Sequence, residues 1–562
     1  MTGTAGRSVL DGHGEGEVLA LDEPLSFWGG VDPASGRIID AHHPQHGEIV
    51  SGKILVMPTS RGSCSGSGVF LDLALAGRAP SALVFGGPED VLTLGALVAA
   101  GMFKASVPVI RLDAQAYGAI SAAKNARITP NAVAFDGASH QLRPASDETL
   151  TLTARDRSML AGSEGEAARI AMGIVCAMAE SQGATSLLDV TRAHIDGCIY
   201  ASPANLVFAE RMAGLGAKVS VPTTMNAISI EHGRWQAQGI TPSFGAPAQR
   251  LADCYLDMGC RPSFTCSPYL LDGPPSLNEP IAWSESNAVI YANSVLGART
   301  QKHPDFLDLC IAVTGRAPLS GVYLDDHRRA RTVIDVEIPD GADDLVWPLI
   351  GYCAGLKSPD RIPLLRGLKS AEPGPDALKA LCAAFGTTSA APMLHIADVT
   401  PEAEDCASAD MDHRHIGRAD FTGTFEKLNQ GAQAIDLVAI GSPHASADEC
   451  RRLAEGLEGR RIAHGVALII TLGRAVKAQL EREGTLSRLV QSGVTIHSDL
   501  CWCSIVRPLF PVDAKTVVTN SGKYAHYGPG LSGCAVRLAS LAGCIEAATT
   551  GRLSSLPPDW LS

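Results

Sequence analysis

Short apolar segments that end in small or polar residues recur along this chain of 562 residues. Examples are residues 52–58, 81–87 and 107–112, and the first is followed by the loop TSRGSCSGSG. Apolar helical segments at 69–77 and 91–102 separate these predicted strands. Alternating strands, glycine-rich loops and helices are typical of α/β layers. The pattern predicts an α/β fold whose strand-end loops meet at one edge of a sheet.

The same pattern continues beyond a polar stretch at residues 140–160. A helix is predicted over 167–183, and further strands are expected in segments 217–224, 435–446, 465–473, 494–501 and 516–518. A chain of this length is too long for a single ordinary core. We therefore predict a small β-rich domain over 1–145 and a large domain over 146–562, joined by that polar linker.

Charge and hydropathy exclude several classes of protein. The formal net charge of −13 disfavours a nucleic-acid partner. No apolar run approaches the ~20 residues that span a bilayer, and the start of the chain lacks the apolar segment of an export signal. We therefore expect a cytoplasmic protein with no membrane partner. No sequence pattern decides its oligomeric state.

The 15 cysteines contain no CxxC pair. In a reducing compartment they are thiols, catalytic groups or metal ligands rather than a disulfide framework. A zinc ribbon and a ferredoxin-type run are excluded by the spacing. Any metal site must therefore be assembled from distant segments.

The loop at 61–68 is the first candidate for chemistry. Its small residues allow backbone N–H groups to converge on an anion, and Arg61 adds a positive charge. A serine in such a loop could act as an alkoxide base, and alternation along an extended loop would point Ser63, Ser65 and Ser67 to one side. The alternative is a flexible glycine–serine turn.

Cysteines in three other segments are candidate ligands. Cys260 and Cys266 are six positions apart, Cys310 lies in an apolar helical segment, and Cys501 and Cys503 follow a predicted strand. The carboxyl end of a strand is a common position for functional residues. The alternative is that these thiols are core residues, since free cysteine is often buried.

Two polar clusters are candidate binding residues. Glu285 and Asn287 lie in a predicted helical segment, where the alternative is that Ser284 caps the helix and Glu285 is solvated. Asn520, Ser521 and Lys523 follow the strand at 516–518 and suggest an anion-binding corner, or else a polar turn.

Taken together, these segments resemble one family. TCSPYL (265–270), AWSESNAVIYANSVLGARTQ (282–301), DFLDLCIAVTGRAP (305–318) and TNSGKYAHY (519–527) resemble the large component of aconitase X. RGSCSGSG (61–68), in its strand–loop–helix setting, resembles the small swivelling component of that family. The resemblance implies an aconitase-like multi-domain large part fused behind an N-terminal swivelling β/α domain.

The resemblance also implies an iron–sulfur cluster, [4Fe-4S] or [2Fe-2S], held by three cysteines. By this resemblance Cys266, Cys310 and Cys501 are the expected ligands, with Cys260, Cys353 and Cys503 in reserve. Ser63 matches the base of the superfamily, with Ser65 and Ser67 as competitors. The expected substrate-contacting residues are Arg61, Lys523, Ser67, Asn520, Ser521, Glu285 and Asn287.

The fused arrangement resembles the bacterial type that dehydrates cis-3-hydroxy-L-proline, so a small imino acid is the expected substrate. The serine would remove the Cα proton, and iron would polarise the C3 hydroxyl. The alternatives are phosphomevalonate dehydration and a non-catalytic iron–sulfur protein.

Overall fold

The computed structural model describes residues 4–40, 43–61, 64–145, 150–407, 411–554 and 557–561. Contacts divide the chain into two compact units. Unit 1 contains residues 1–223, 254–260 and 303–321, and unit 2 contains 224–253, 261–302 and 322–562. In the described residues, no helix is long and apolar enough to cross a bilayer.

The strands are short and are numbered in chain order. They are β1 Gly6–Leu10, β2 Gly14–Ala20, β3 Val31–Asp32, β4 Arg37–Ile38, β5 Ile54–Met57, β6 Ala82–Phe85, β7 Val109–Leu112, β8 Asn125–Thr129, β9 Ala132–Phe135, β10 Ala138–Arg143, β11 Leu187–Asp189, β12 Ala193–Ile195, β13 Thr223–Met225, β14 Ala282–Trp283, β15 Arg316–Pro318, β16 Thr332–Val336, β17 Pro363–Arg366, β18 His395–Ile396, β19 Asp412–Ile416, β20 Leu437–Ile440, β21 Ala467–Leu472, β22 Thr495–Ser498, β23 Thr516–Thr519 and β24 Ala535–Leu538.

The α-helices are numbered in the same way. They are α1 Gly66–Leu75, α2 Val91–Phe103, α3 Ala114–Ala122, α4 Ala154–Leu160, α5 Glu166–Ser181, α6 Pro203–Gly214, α7 Pro242–Asp257, α8 Ser286–Tyr291, α9 Leu307–Thr314, α10 Val346–Lys357, α11 Pro375–Thr388, α12 Arg418–Lys427, α13 Ala447–Gly456, α14 Arg474–Glu483, α15 Thr485–Gln491, α16 Gly522–Ser532 and α17 Leu541–Thr550.

Unit 1 begins with a closed barrel of eight strands in the order β1-β10-β9-β8-β2-β5-β6-β7. Strand β5 is buried on both faces, because Leu55 and Met57 belong to one apolar cluster while Ile54 and Val56 belong to another. Helices α1 and α2 connect the parallel strands β5, β6 and β7. A continuous apolar run is what a strand buried on both faces requires. The predicted β-rich N-terminal part is confirmed.

Unit 2 contains two parallel sheets, ordered β18-β17-β16-β19 and β22-β21-β20-β23-β24. In the second sheet every neighbouring pair is parallel, so the loops that follow its strands leave from one edge. Those loops are the ones that the sequence patterns at 435–446, 465–473, 494–501 and 516–518 single out.

Some predicted bounds are wrong. Segment 217–224 forms a strand only from Thr223, and residues 217–222 are outside any strand. The predicted polar stretch at 140–160 still includes the end of β10 at Arg143 and helix α4 from Ala154. Thr153 and Asp156 form a capping box at the start of α4, which explains why a polar sequence begins a helix there.

Candidate active site

Four parallel strands of unit 2 place side chains at one sheet edge. His444 follows β20, Arg474 follows β21, Cys501 follows β22, and Lys523 follows β23. Ligand sites of open α/β sheets lie at the carboxyl ends of the strands. This edge is therefore the place in unit 2 where the predicted residues can act together.

Two predicted cysteines meet at this edge, and a third joins them. The thiols of Cys266 and Cys501 are 3% and 6% exposed and pack together, with Cys503 partly buried against them. The backbone N–H of His444 donates to Cys266 Sγ at 3.2 Å, and that of Cys503 donates to Cys501 Sγ at 3.3 Å. The sequence predicts Cys503 only as a reserve ligand, although it lies two positions from Cys501.

Both Cys501 and Cys503 favour the neutral thiol. Hydrogen bonding to Cys266 and burial raise the pKa of Cys501 to about 12, although hydrogen bonding with Cys503 acts in the opposite direction. Hydrogen bonding to Cys501 and burial raise the pKa of Cys503 well above its ordinary value. Among the described residues, no three His, Cys, Asp or Glu side chains form a preassembled site for a single metal ion. A cluster is larger than one ion, and its cationic iron would favour the thiolate forms of these cysteines, so the donor set fits an iron–sulfur group.

His444 connects the two cysteine-bearing turns. Its ring is fully buried, and burial lowers its pKa to about 4, so the imidazole is neutral. Its Nε2 lies 2.8 Å from Leu500 O, an acceptor, so Nε2 carries the proton. Its Nδ1 lies 3.1 Å from the Thr265 hydroxyl. The sequence patterns do not single out His444, although it lies in the loop part of the predicted strand-then-loop segment 435–446.

Lys523 and Glu285 form a buried ion pair, with 2.7 Å between Nζ and Oε1. Burial disfavours the Lys523 ammonium, but the Glu285 carboxylate more than offsets this and raises the pKa of Lys523 well above its ordinary value. Burial likewise opposes the charge of Glu285, yet Lys523 and hydrogen bonds lower the pKa of that carboxyl. Both groups are therefore charged at neutral pH.

Glu285 is also the N-cap of α8, where its carboxylate accepts from Ala288 N at 2.8 Å. Ser284 is not the cap, and Glu285 is not solvated, so that alternative is wrong. Asn287 donates to the Glu285 carboxylate and, at 3.1 Å, to Cys266 O. Tyr269 donates to Asn287 Oδ1 at 2.8 Å. Asn287 thus connects the ion pair to the Cys266 turn.

Asn520 and Ser521 line a small cavity beside the N-terminus of α16. Ser521 caps this helix by accepting from Tyr524 N at 3.0 Å, and its hydroxyl donates to Ser442 O. Lys379 lines the same cavity and pairs with Glu449. The predicted polar corner is thus a helix N-terminus beside a buried cation.

The serine loop lies in unit 1, and Ser63 lies outside the described residues. Arg61 is 42% exposed and pairs with Glu23 at 3.4 Å and Asp40 at 3.2 Å. Ser67 is fully buried, and its hydroxyl is within hydrogen-bond distance of two carbonyl oxygens, Cys64 O at 3.0 Å and Asp305 O at 3.1 Å. These contacts with backbone carbonyls favour a structural role for the Ser67 hydroxyl over a catalytic one.

The extended alternation expected for this loop is wrong at Ser65 and Ser67, because Ser65 is the N-cap of α1 and Ser67 lies inside that helix. The sequence patterns do not single out Asp305, which lies close to this loop in the structure. Its carboxyl is buried, and burial raises its pKa well above the ordinary value, while hydrogen bonding to Ser65 acts in the opposite direction. The Ser65 hydroxyl is therefore a neighbour of the Asp305 carboxyl, and the raised pKa of Asp305 favours the protonated, uncharged form of that carboxyl.

Cys310 lies in helix α9 of unit 1, whereas Cys266 and Cys501 belong to unit 2. It is fully buried, and burial raises its pKa. The reserve ligands Cys260 and Cys353 also belong to different units. Cys260 is in unit 1, and Cys353 is in unit 2, where its thiol lies 3.1 Å from the Thr424 hydroxyl. None of the fifteen cysteines, all of which are described, forms a disulfide.

Comparison with known proteins accounts for nearly the whole chain. The Aconitase X swivel domain matches residues 4–135, and the first, second and third Aconitase X domains match 149–326, 330–426 and 435–550. The cis-3-hydroxy-L-proline dehydratase of Pseudomonas aeruginosa is 48% identical, with 99% of this chain and 98% of that protein aligned. The enzyme of that name from Hypocrea jecorina is 42% identical, with coverage of 99% and 97%.

More distant relatives match the large part. The phosphomevalonate dehydratase large subunit of Thermococcus kodakarensis is 31% identical over 71% of this chain and 99% of that subunit. The crystal structure of holo-form aconitase X from Thermococcus kodakaraensis matches with a TM-score of 0.65 and 30% identity, covering 71% of this chain and all of that one. The chain therefore belongs to the aconitase X family, with the swivel domain and the first, second and third domains fused in one polypeptide.

Proposed function

We propose that this protein is a hydro-lyase that converts cis-3-hydroxy-L-proline to Δ1-pyrroline-2-carboxylate and water. The observation that carries the proposal is the 48% identity to a dehydratase of that substrate along the full length of both chains. The phosphomevalonate dehydratase relatives match as separate large and small subunits at lower overall coverage, which favours the imino acid. A cytoplasmic location suits fifteen reduced cysteines.

Three thiols and one buried cation support this chemistry. Cys266 and Cys501 are the proposed ligands of an iron–sulfur cluster, and the contact of Cys503 with Cys501 supports it as the third, with Cys310 as the alternative. When bound, such a cluster supplies a Lewis acid for the C3 hydroxyl, a poor leaving group. The iron-to-chain ratio and the electron paramagnetic resonance of the reduced protein distinguish [4Fe-4S] from [2Fe-2S].

The protein's own residues must acidify and remove the Cα proton. The substrate carboxylate opposes carbanion formation, so its charge has to be balanced, a role that suits Lys523 and Arg61. A serine of the 61–68 loop, Ser63 by resemblance or Ser65, takes the proton. Loss of hydroxide with that proton gives one water and an enamine, which tautomerises to the cyclic imine. Asn520, Ser521, Glu285 and Asn287 are proposed to line the substrate cavity.

The proposal is tested with a substrate panel on anaerobically purified, iron-reconstituted protein. Nuclear magnetic resonance should show the cyclic imine forming from cis-3-hydroxy-L-proline, with no product from its trans isomer or from phosphomevalonate. Turnover of phosphomevalonate alone would assign the rival activity. A brown, iron-loaded protein that turns over neither compound would be a non-catalytic iron–sulfur protein.

A further inference from the structure

Both cysteine-bearing turns contain a residue in a backbone conformation that side chains disfavour. Phe264, two positions before Cys266, has φ 41°, and Asp499, two positions before Cys501, has φ 73°. Aspartate tolerates this left-handed region, but a bulky aromatic residue rarely adopts it. Something outside each turn must therefore stabilise its shape.

One side chain contacts both of these residues. The Arg474 guanidinium donates from Nε and from NH2 to the two carboxylate oxygens of Asp499, each at 2.6 Å. The same guanidinium lies over the Phe264 ring, 4.5 Å from its centroid. A forked ion pair fixes orientation as well as distance, and a planar cation stacks well on an aromatic face.

The backbone beside Arg474 is also shaped to receive the Cys266 turn. A Cβ added at Gly473 would lie 3.0 Å from the Thr265 hydroxyl oxygen and 3.1 Å from its Cβ, so a glycine permits this close approach. Asp499 Oδ2 accepts a second hydrogen bond from His232 N at 3.1 Å. The 3%-exposed carboxylate is thus fully engaged, and the pair with Arg474 is held in place.

We infer that Arg474 is a positioning residue that holds the turns bearing Cys266 and Cys501 at the spacing required for cluster binding. The inference rests on the proposal that these two cysteines are cluster ligands. His444 joins the turns through Thr265 and Leu500, whereas Arg474 joins the two left-handed residues themselves. Partners that orient ligands in this way control how firmly a metal group is held.

The experiment compares Arg474→Met with Arg451→Met. Arg451 makes an equivalent forked pair with Glu483, at 3.0 and 2.7 Å, and its side chain is 35% exposed, against 39% for Arg474. Both variants lose a forked pair, and Arg451→Met also loses the pair with Asp448, but only Arg474→Met loses contact with the cysteine turns. Iron release from the loaded protein to a chelator should be about tenfold faster in Arg474→Met and unchanged in Arg451→Met. The visible circular dichroism of the cluster should change only in Arg474→Met.

A folded Arg474→Met protein that releases iron at the wild-type rate would overturn the inference. If Arg474→Met does not fold, Asp499→Asn is the variant to measure, because asparagine tolerates the left-handed conformation and removes the charge that pairs with Arg474. Asp499→Asn should also release iron faster than wild type. Release at the wild-type rate would reject the positioning role of Arg474. Wild-type protein that takes up no iron would refute the cluster proposal instead. Alkylation of Cys266 and Cys501 in cluster-free protein then tests the inference separately, with a faster reaction expected in Arg474→Met than in Arg451→Met.

Discussion

At the scale of single residues, the thiols of Cys266, Cys501 and Cys503 pack together at the sheet edge. Hydrogen bonding to Cys266 and burial together raise the pKa of Cys501 to about 12. Without a cation this arrangement favours neutral thiols, and with iron it favours thiolates. On the proposal that these residues bind a cluster, they are neutral thiols in its absence and ligands in its presence.

The identity of the third ligand is the sharpest test at this scale. Cys503→Ala should abolish the visible absorbance and bound iron, as should Cys266→Ala and Cys501→Ala, because the loss of one thiolate of three opens the cluster. Iron and acid-labile sulfide per chain are the measurements. Replacement of Cys64, Cys176 or Cys544 should leave both unchanged. Wild-type iron in Cys503→Ala together with loss in Cys310→Ala would make Cys310 the third ligand.

The base is a second residue-scale prediction. Ser63→Ala should keep the cluster and bind substrate but lose about 10²–10⁴-fold in turnover, because a general base is missing. Exchange of the substrate Cα proton with solvent deuterium, followed by nuclear magnetic resonance, should stop as well. Ser67→Ala is the control, since its hydroxyl already contacts two backbone carbonyls. Normal exchange in Ser63→Ala with none in Ser65→Ala would assign the role to Ser65.

At the scale of elements, helix α4 is held by a charge as well as by its cap. Asp156 is fully buried, accepts from Thr153 N at 2.8 Å, and pairs with Arg316 at 2.9 Å. Burial opposes its charge, but Thr153 and Arg316 lower its pKa below the ordinary value. Helix α4, which lies in the polar stretch, is thus joined by an ion pair to strand β15, more than 150 positions away.

Asp156→Asn should therefore reduce the free energy of unfolding by about 3 kcal/mol at neutral pH, because Arg316 loses a buried partner. A depressed folded-state pKa contributes stability above the unfolded value near 4, and this is lost as pH falls through the folded-state pKa. The difference between wild type and variant, measured by denaturant unfolding, should shrink below about pH 4. Asp420→Asn, which breaks the half-exposed pair with Lys357, should cost less. A difference that grows on acidification would contradict the assignment.

At the scale of the whole molecule, the boundary between the N-terminal domain and the rest stays a prediction. The two apolar clusters of the barrel contain residues from 5 to 142 only. Limited proteolysis should therefore cut first between 140 and 160, where the sequence is polar, and mass spectrometry should identify fragments ending there. A first cut inside the barrel or in unit 2 would reject the boundary.

Local sequence patterns predict the α/β class, the β-rich N-terminal part, helix α2 and strand β23, because burial on one or both faces imposes a residue period that such patterns display. It also pointed to Cys266, Cys501, Lys523 and Glu285, through motifs that resemble the aconitase X family.

The tertiary structure alone decided which distant side chains meet. Sheet order brings Arg474 between Phe264 and Asp499, pairs Glu285 with Lys523 across 238 positions, and packs Cys503 with Cys501 and Cys266. In the structure helix α1 begins at Gly66, so Ser65 caps the helix and Ser67 lies within it, and neither residue is in an extended loop. The physical reason is that contacts between remote segments depend on strand order and close packing, which no local period encodes.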